Sequence, residues 1–464
     1  MKVRKKDVIW SYLARTFSLG VNVILLPLIM RFLSDTDLGL WYVFASISQV
    51  VNLFDFGFNA TLSRHMTYAW SGASKLEKTN TTDVISEEKN YRLIKTVIQT
   101  CRVVYFLISL LALVVMLSVG SIYIKGVLRN DFTIEYKIAW LIYSGAVFVN
   151  LFYGYWASLL QGIGAVAERN KMNVFAKIIQ LLLATILLFM GAGLIGFVIS
   201  YAISGMVLRF LGKYYFRRKL EGIKLSYDIS QKDIKDCFSA VWATAWKDGL
   251  VMMAQYLSTQ ANTLICAYYI DLSATSSYGV ITQIASVLSS MAMAYYSAYQ
   301  PMFSSLCLKR DNDGQKKIAG SSSFVYKAIF LLGTLAFVGV GVPLLKIIRP
   351  GMTYDYILIV AVCLFYYLYN QHALFASMIA SFNEIPYYKS YVITALFSVL
   401  ISLIVTKFMN YGLWGLVCTQ IIVNLIYNNW KWPSYLLKKI NMKYYEIYSV
   451  GFNEMKLKIR GIMA

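Results

Sequence analysis

Charge is scarce in this chain of 464 residues. Only 14% are Asp, Glu, Lys or Arg, against about a quarter in an ordinary soluble domain. Meanwhile 58% are hydrophobic, and the mean hydropathy is +0.56. A soluble protein of this length would fold as roughly three domains, and there is too little polar surface here to cover them. The shortage excludes a soluble enzyme, a disordered chain and a disulfide scaffold. Thiol chemistry is equally thin. The six cysteines, Cys101, Cys237, Cys266, Cys307, Cys363 and Cys418, form no C-x-x-C pair and lie in or beside apolar runs, where cysteine behaves as a small apolar residue. Histidine occurs only as His65 and His372, and no H-E-x-x-H, P-loop or G-x-G-x-x-G pattern is present. Those motifs hold catalytic zinc or cradle phosphates, so no metal or organic cofactor and no nucleotide-driven pumping is expected.

What the sequence does have is apolar runs long enough to span a bilayer, which takes about 20 residues in a helix. Twelve are expected: Val8–Met30, Leu38–Leu62, Thr96–Gly120, Ile138–Leu160, Met172–Met190, Gly193–Leu211, Phe238–Ile270, Tyr278–Leu306, Phe324–Ile347, Tyr354–Ile379, Ser390–Met409 and Gly412–Tyr435. The first is too long for a cleavable signal and is followed by no small-residue cleavage site. The net charge is +21, from 44 Lys plus Arg against 23 Asp plus Glu. On a soluble domain this would suggest nucleic acid. Here about 32 of the 44 basic residues fall on the side of the N-terminus and about 7 on the other, the asymmetry of cytoplasmic loops. The basic charge is therefore read as topological: no nucleic acid, both termini cytoplasmic, and a multi-pass membrane protein, whose place in the bacterial inner membrane is what the family resemblance given below implies. The longest external connection runs only from Ser121 to Lys137, leaving no room for a soluble domain. The basic tail is expected on the inner membrane surface.

Short similarities recur in order along the two halves. Gly193-Leu194-Ile195-Gly196 opens the sixth run and Gly412-Leu413-Trp414-Gly415 the twelfth; Lys171 and Lys389 precede the fifth and eleventh; Leu38-Gly39-Leu40 and Tyr278-Gly279-Val280 open the second and eighth. Six helices per half give both halves the same orientation, a parallel repeat of the kind transporters use. The expected fold is an all-α integral membrane protein of about twelve transmembrane helices, in two six-helix lobes around a central cavity. Its expected parts are an N-terminal lobe (1–212), a cytoplasmic linker (213–237), a C-terminal lobe (238–436) and a basic cytoplasmic tail (437–464).

Polar residues at helical spacing mark faces turned from lipid. The first span carries Ser11, Arg15, Ser18 and Asn22; the second Ser48, Asn52, Asp55 and Asn59; the seventh Thr244, Asp248, Gln255, Thr259 and Asn262, with Lys247 beside them; the eighth Thr282, Ser286, Ser289, Tyr296 and Gln300. These are the first two helices of each expected lobe. The stripes suggest one aqueous cavity, although Ser, Thr and Asn stripes also glue helices together. The cavity candidates are Arg15, Asn22, Asn52, Asp55, Asn59, Arg102, Lys247, Asp248 and Gln255. Snorkelling to the interface also accounts for Arg102, Lys177 and Lys327. Cations outnumber acids, which favours an anionic solute, and Arg15 has the fork geometry for phosphate oxygens. His372 is expected to be packed and hydrogen-bonded rather than a proton relay.

The N-terminal third carries a more specific signal. Phe17-Ser18-Leu19-Gly20 leads to Leu25-Leu26-Pro27-Leu28 and Arg31-Phe32-Leu33-Ser34. Then come Leu38-Gly39-Leu40-Trp41-Tyr42-Val43-Phe44, Phe54-Asp55-Phe56-Gly57-Phe58 and Leu62-Ser63-Arg64. This resembles the Wzx-type polysaccharide flippases, the O-antigen and capsule transporters of the multidrug/oligosaccharidyl-lipid/polysaccharide exporter superfamily. The resemblance implies a two-lobed, alternating-access transporter, not an enzyme. Its partners would be an undecaprenyl-diphosphate-linked oligosaccharide, the lipid bilayer and other polysaccharide-assembly membrane proteins. It implies that Arg15 and Lys247 receive the diphosphate or acidic sugars, and that Na⁺ or H⁺ coupling uses Asp55 or Asp248. The competing readings are a cation-coupled multidrug antiporter, which would want an acid-rich cavity; an O-antigen polymerase, which would want a large external loop or an acidic motif; and a peptidoglycan-precursor flippase with extra helices.

Overall fold

A computed structural model describes residues 17, 20, 21, 24–53, 55, 58–70, 72–73, 88–129, 131–220, 223, 226–350, 354–382, 384 and 386–463, with the side chains of 52, 60, 64, 243–248, 251, 301, 304, 305, 308, 309 and 458–463 left out. Among these residues there is no β-strand. After a helical stretch at 24–32 come α1 (Asp35–Leu53), α2 (Phe58–Trp70), α3 (Tyr91–Val127), α4 (Ile134–Gly162), α5 (Val166–Phe189), α6 (Gly193–Lys219) and α7 (Gln231–Thr259). The second part holds α8 (Ala261–Tyr269), α9 (Leu272–Lys309), α10 (Asn312–Ile348), α11 (Tyr356–Ala380), α12 (Tyr388–Phe408), α13 (Gly412–Ile426), α14 (Asn428–Lys439) and α15 (Glu446–Met463).

Side-chain caps start several of these helices by satisfying amide groups that have no carbonyl one turn back. The Leu93 amide donates to Asn90 (3.0 Å), the Ala274 amide to Asp271 (2.6 Å), the Gly314 amide to Asp311 (3.0 Å) and the Ile357 amide to Asp355 (2.9 Å). Seven helices among the described residues are long and apolar enough to cross a membrane: α3, α4, α5, α6, α10, α11 and α12. They fall on the third to sixth and ninth to eleventh expected spans. Their outward faces are apolar, as lipid requires; Leu107, Leu111 and Val114 on α3 and Leu331, Leu332 and Leu335 on α10 are all exposed.

The second, seventh, eighth and twelfth expected spans are also helical, but they do not pass as membrane spans by length and hydropathy. Two physical reasons account for this. Polar stripes lower the hydropathy of the second, seventh and eighth, and three of the four break. The second is interrupted around Asp55, the seventh at Gln260 and the twelfth at Tyr427, whose backbone (φ −137°, ψ −59°) leaves the helical region. The eighth, α9, runs unbroken for 38 residues.

By contacts the chain divides into two compact units, Met1–Tyr256 and Leu257–Ala464. Most of α7 therefore belongs with the first unit. There Phe238 and Trp242 stack near Phe58, with ring centroids 6.0 and 5.8 Å away, and Asp233 pairs with Arg92 at 3.4 Å. The first unit is also tied by an aromatic cluster joining α1, α4 and α6. Trp41 meets Phe197 edge-on at 4.6 Å, Phe44 lies 5.0 Å from Trp140, and Tyr143 stacks on Tyr201 at 5.3 Å. In the second unit α15 packs lengthwise on α10. Its Gly451 lies against the Gly320 backbone, Lys317 pairs with Glu454 at 3.8 Å, and Lys327 donates to the Tyr448 hydroxyl. The expected basic tail thus includes a helix docked on α10.

The repeat shows inside each unit. α3 and α10 are both 37 residues long. In each, 25 α-helical residues lead into a five-residue π turn, Met116–Gly120 and Phe337–Gly341, before the helix resumes. Gly193 and Gly412 open α6 and α13 with positive φ, +50° and +54°, a backbone that only glycine adopts without strain. Three residues on, a Cβ at Gly196 would stand 3.0 Å from Leu187 Cβ of α5, and one at Gly415 would stand 2.5 Å from Val405 Cγ1 of α12.

Candidate functional site

The break between α1 and α2 turns a carboxylate inward. Asp55 is 5% exposed. Its main-chain carbonyl accepts the Phe58 amide at 2.7 Å, and its Oδ2 accepts the Asn59 side-chain amide at 2.7 Å and the Asn59 backbone amide at 3.4 Å. The Tyr105 hydroxyl of α3 donates to Oδ1, and the Ser158 hydroxyl of α4 donates to Asn59 Oδ1. Asp55 thus caps the first turn of α2 while holding together a four-residue chain, Tyr105–Asp55–Asn59–Ser158. Among the described residues its hydrogen-bond partners are neutral, so the charge is stabilised by donors rather than by a cation.

The other cavity candidates are placed less fully. Arg15 and Asn22 lie outside the described residues. Asn52 falls on α1, and Lys247 and Asp248 on α7, with their side chains outside the description. Gln255 is exposed on α7. Arg102 is exposed on α3 within reach of the Tyr155 hydroxyl, and the Tyr155 ring lies 6.0 Å from that of Tyr105. Asp55 and Asn59 are therefore brought into direct contact, and Arg102 ends near the same cluster.

Several stripe residues hold helices together. Ser289 accepts from Asn370 of α11 at 3.0 Å, Tyr296 donates to the Ser377 carbonyl at 3.2 Å, and Asn262 accepts from Gln420 of α13 at 3.3 Å. His372 is buried in the second unit, between Tyr391 (2.8 Å from Nδ1) and Asn424 Oδ1 (3.1 Å from Nε2). The Asn424 amide donates to the Gln420 carbonyl at 2.8 Å, which fixes its oxygen toward the ring. Nε2 must then carry the proton and Nδ1 accepts from Tyr391. This is the packed, hydrogen-bonded histidine expected from the sequence.

Sequence reading did not anticipate a cavity of about 360 Å³ in the first unit, between α4, α5 and α6. It is lined by Asn150, Trp156, Asn173, Lys177, Tyr201 and Arg209 among others, and no Asp or Glu is among the described residues that line it. Lys177 donates to Gln180 Oε1 at 3.0 Å, and the Arg209 guanidinium sits 3.7 Å from the Tyr153 ring centroid. Lys177 lines this cavity, where Gln180, one turn along the helix, receives its ammonium. The room depends on Gly205, where a Cβ would overlap the Asn150 amide. Tyr105 and Ser158 belong to no polar stripe on the first two helices of a lobe, and spacing along one helix does not show which group a neighbouring helix brings to meet it. Arg209 lies two residues before the end of the sixth expected span, where it reads as one of the basic residues flanking the run.

The sequence also matches a family model, Polysaccharide biosynthesis protein, over residues 5–307. The chain belongs to the polysaccharide biosynthesis protein family. No curated protein sequence matches it. Among solved structures, an inward-facing multidrug resistance MATE family transporter of the MOP superfamily aligns with a TM-score of 0.63 at 13% identity, covering 94% of this chain and 99% of that one. The lipid II flippase MurJ, in an inward closed conformation, aligns with a TM-score of 0.63 at 12% identity over 97% and 90%. A MOP superfamily transporter from Pyrococcus furiosus, described as having a binding pocket of reverse polarity, aligns at 0.56 and 12% over 96% and 100%. At these identities the likeness establishes the fold: an all-helical membrane transporter fold, as the sequence led one to expect. In this member of the polysaccharide biosynthesis family, half-buried Trp41, from the Leu38–Phe44 motif, and buried Phe197 fasten α1 to α6.

Proposed function

We propose that this protein is a transporter, not an enzyme, that flips an undecaprenyl-diphosphate-linked oligosaccharide, an O-antigen or capsule repeat unit, from the cytoplasmic to the outer leaflet of the bacterial inner membrane by alternating access. The observation that carries the reading is the polysaccharide biosynthesis family match over residues 5–307. A fold shared with a lipid II flippase supports it. So does the chemistry of the first unit, where two cations and no described carboxylate line the cavity between α4, α5 and α6; such a field suits phosphate and disfavours the organic cations of a multidrug antiporter. In this reading Arg15 and Lys247 meet the diphosphate or acidic sugars. Asp55 or Asp248 takes up the coupling Na⁺ or H⁺; among the described residues the hydrogen-bond partners of Asp55 are neutral. Both termini are cytoplasmic, and the partners are other membrane proteins of polysaccharide assembly.

The test is made in the native cell. The gene is deleted, and the side of the inner membrane on which undecaprenyl-linked oligosaccharide accumulates is measured, with and without complementation. Accumulation on the cytoplasmic leaflet, relieved by the intact protein, is expected and names the glycan by its mass. Single repeat units on the outer side would point to a polymerase instead. Unchanged lipid-linked sugars would overturn the flippase reading and leave the drug exporter.

A further inference from the structure

We infer that the cavity between α4, α5 and α6 is a phosphate-binding site for the anionic headgroup of a lipid. Lys177 lies eleven residues into α5 and Arg209 ten residues before the end of α6. These helices are antiparallel neighbours joined by a short turn at Gly191–Ala192, and both cations line the same cavity between them. Two cations lining one cavity of a helical bundle repel each other unless an anion or water shares the space. No described carboxylate supplies that anion, and the salt bridges in the first unit pair other residues.

The cations are held for use rather than neutralised. The Tyr153 ring stacks on the face of the Arg209 guanidinium and leaves its edge donors in the plane, the arrangement in which arginine grips phosphate oxygens. Gln180 steadies Lys177 through a neutral oxygen. Trp156 adds a buried indole N–H without a hydrogen-bond partner among the described residues. Asn150 and Asn173 line the same space. The apolar side of the lipid has somewhere to go, because Met206 and Phe210 beside the cavity are exposed on α6. This inference deepens the proposed function and rests on it only for the lipid source of the phosphate. Binding in vitro decides it whether or not a glycan is flipped in cells.

The full chain in phosphatidylcholine nanodiscs is titrated with tritiated farnesyl diphosphate, with unlabelled farnesyl diphosphate, inorganic pyrophosphate and farnesol as competitors. Saturable binding is expected, with farnesol inert and pyrophosphate a weak competitor. Lys177→Gln and Arg209→Gln should each weaken it at least ten-fold, while Lys327→Gln, a cation elsewhere, leaves it intact. Should the glutamine variants fail to fold, Ala176→Leu, at a residue of α5 that also lines the cavity, fills it with both cations in place and should give the same loss. Pyrophosphate competing as well as farnesyl diphosphate would keep the phosphate chemistry but overturn the lipid assignment. Farnesol competing equally, or glutamine variants that bind like the parent, would overturn the site.

Discussion

At the scale of single residues, the most constrained polar group described is Asp55. It accepts from Tyr105 and Asn59 within a buried helix break. Hydrogen bonds to an ionised acceptor contribute about 1.5–3 kcal/mol, and leaving a buried partner orphaned costs the desolvation of that group as well. Removing Tyr105 or Asp55 should therefore break the same interaction. Tyr105→Phe and Asp55→Asn are each expected to destabilise the detergent-solubilised protein, and the double variant by less than the sum, with a coupling of about 1–2 kcal/mol. Reversible unfolding of the four proteins measures it, and strict additivity would show that the two side chains act independently. Asp55 was legible from its place on a polar stripe. Tyr105 was not, because hydropathy and spacing along one helix say nothing about what a neighbouring helix brings to meet it. His372 shows the opposite case: a lone buried histidine reads correctly because burial in an apolar span leaves it few options but neutral and hydrogen-bonded.

Elements carry the repeat, and here the sequence signal was weak but physically meaningful. The Gly-Leu-x-Gly openings mark places where α6 and α13 turn tightly and then pass close to the preceding helix. A Cβ at Gly415 would stand 2.5 Å from Val405 Cγ1 and 3.0 Å from Tyr411 Cβ. Val405 is β-branched and cannot swing away within a helix. Gly415→Ala should destabilise by about 1–3 kcal/mol through overpacking, and adding Val405→Ala should recover most of that loss. If thermal midpoints show no recovery, the strain lies in the α13 backbone rather than at the α12 contact. The matching π turns of α3 and α10 escaped the sequence entirely. A π turn adds one residue to a helical turn without any residue type that announces it, so only the three-dimensional trace shows two 37-residue helices bulging after the same number of residues. Breaks at Asp55, Gln260 and Tyr427 were hidden for a related reason. Each lies inside a run that satisfies the length and composition of a span, and the run does not record where its hydrogen-bond ladder is interrupted.

For the whole molecule, composition sets the class and the family match confirms it, while orientation rests on charge. The helices that hydropathy alone recognises are the lipid-facing ones, such as α3 and α10; those with polar stripes fall short because the residues that turn them away from lipid are the ones that lower the score. Basic residues flank both kinds and give a direct physical prediction, since cytoplasmic connections retain Lys and Arg. In a variant with all six cysteines replaced by serine, a cysteine at Lys125, in the connection between the third and fourth expected spans, should react with a membrane-impermeant maleimide in intact cells. A cysteine at Lys232, before the body of α7, should react only after the membrane is opened. The two sites lie an odd number of spans apart in the expected topology, so they must label from opposite sides. Labelling of Lys232→Cys from outside with Lys125→Cys protected would invert the protein and with it the direction of any flipping. Labelling of both from one side would instead require that one of the intervening helices, α4 to α6, does not cross.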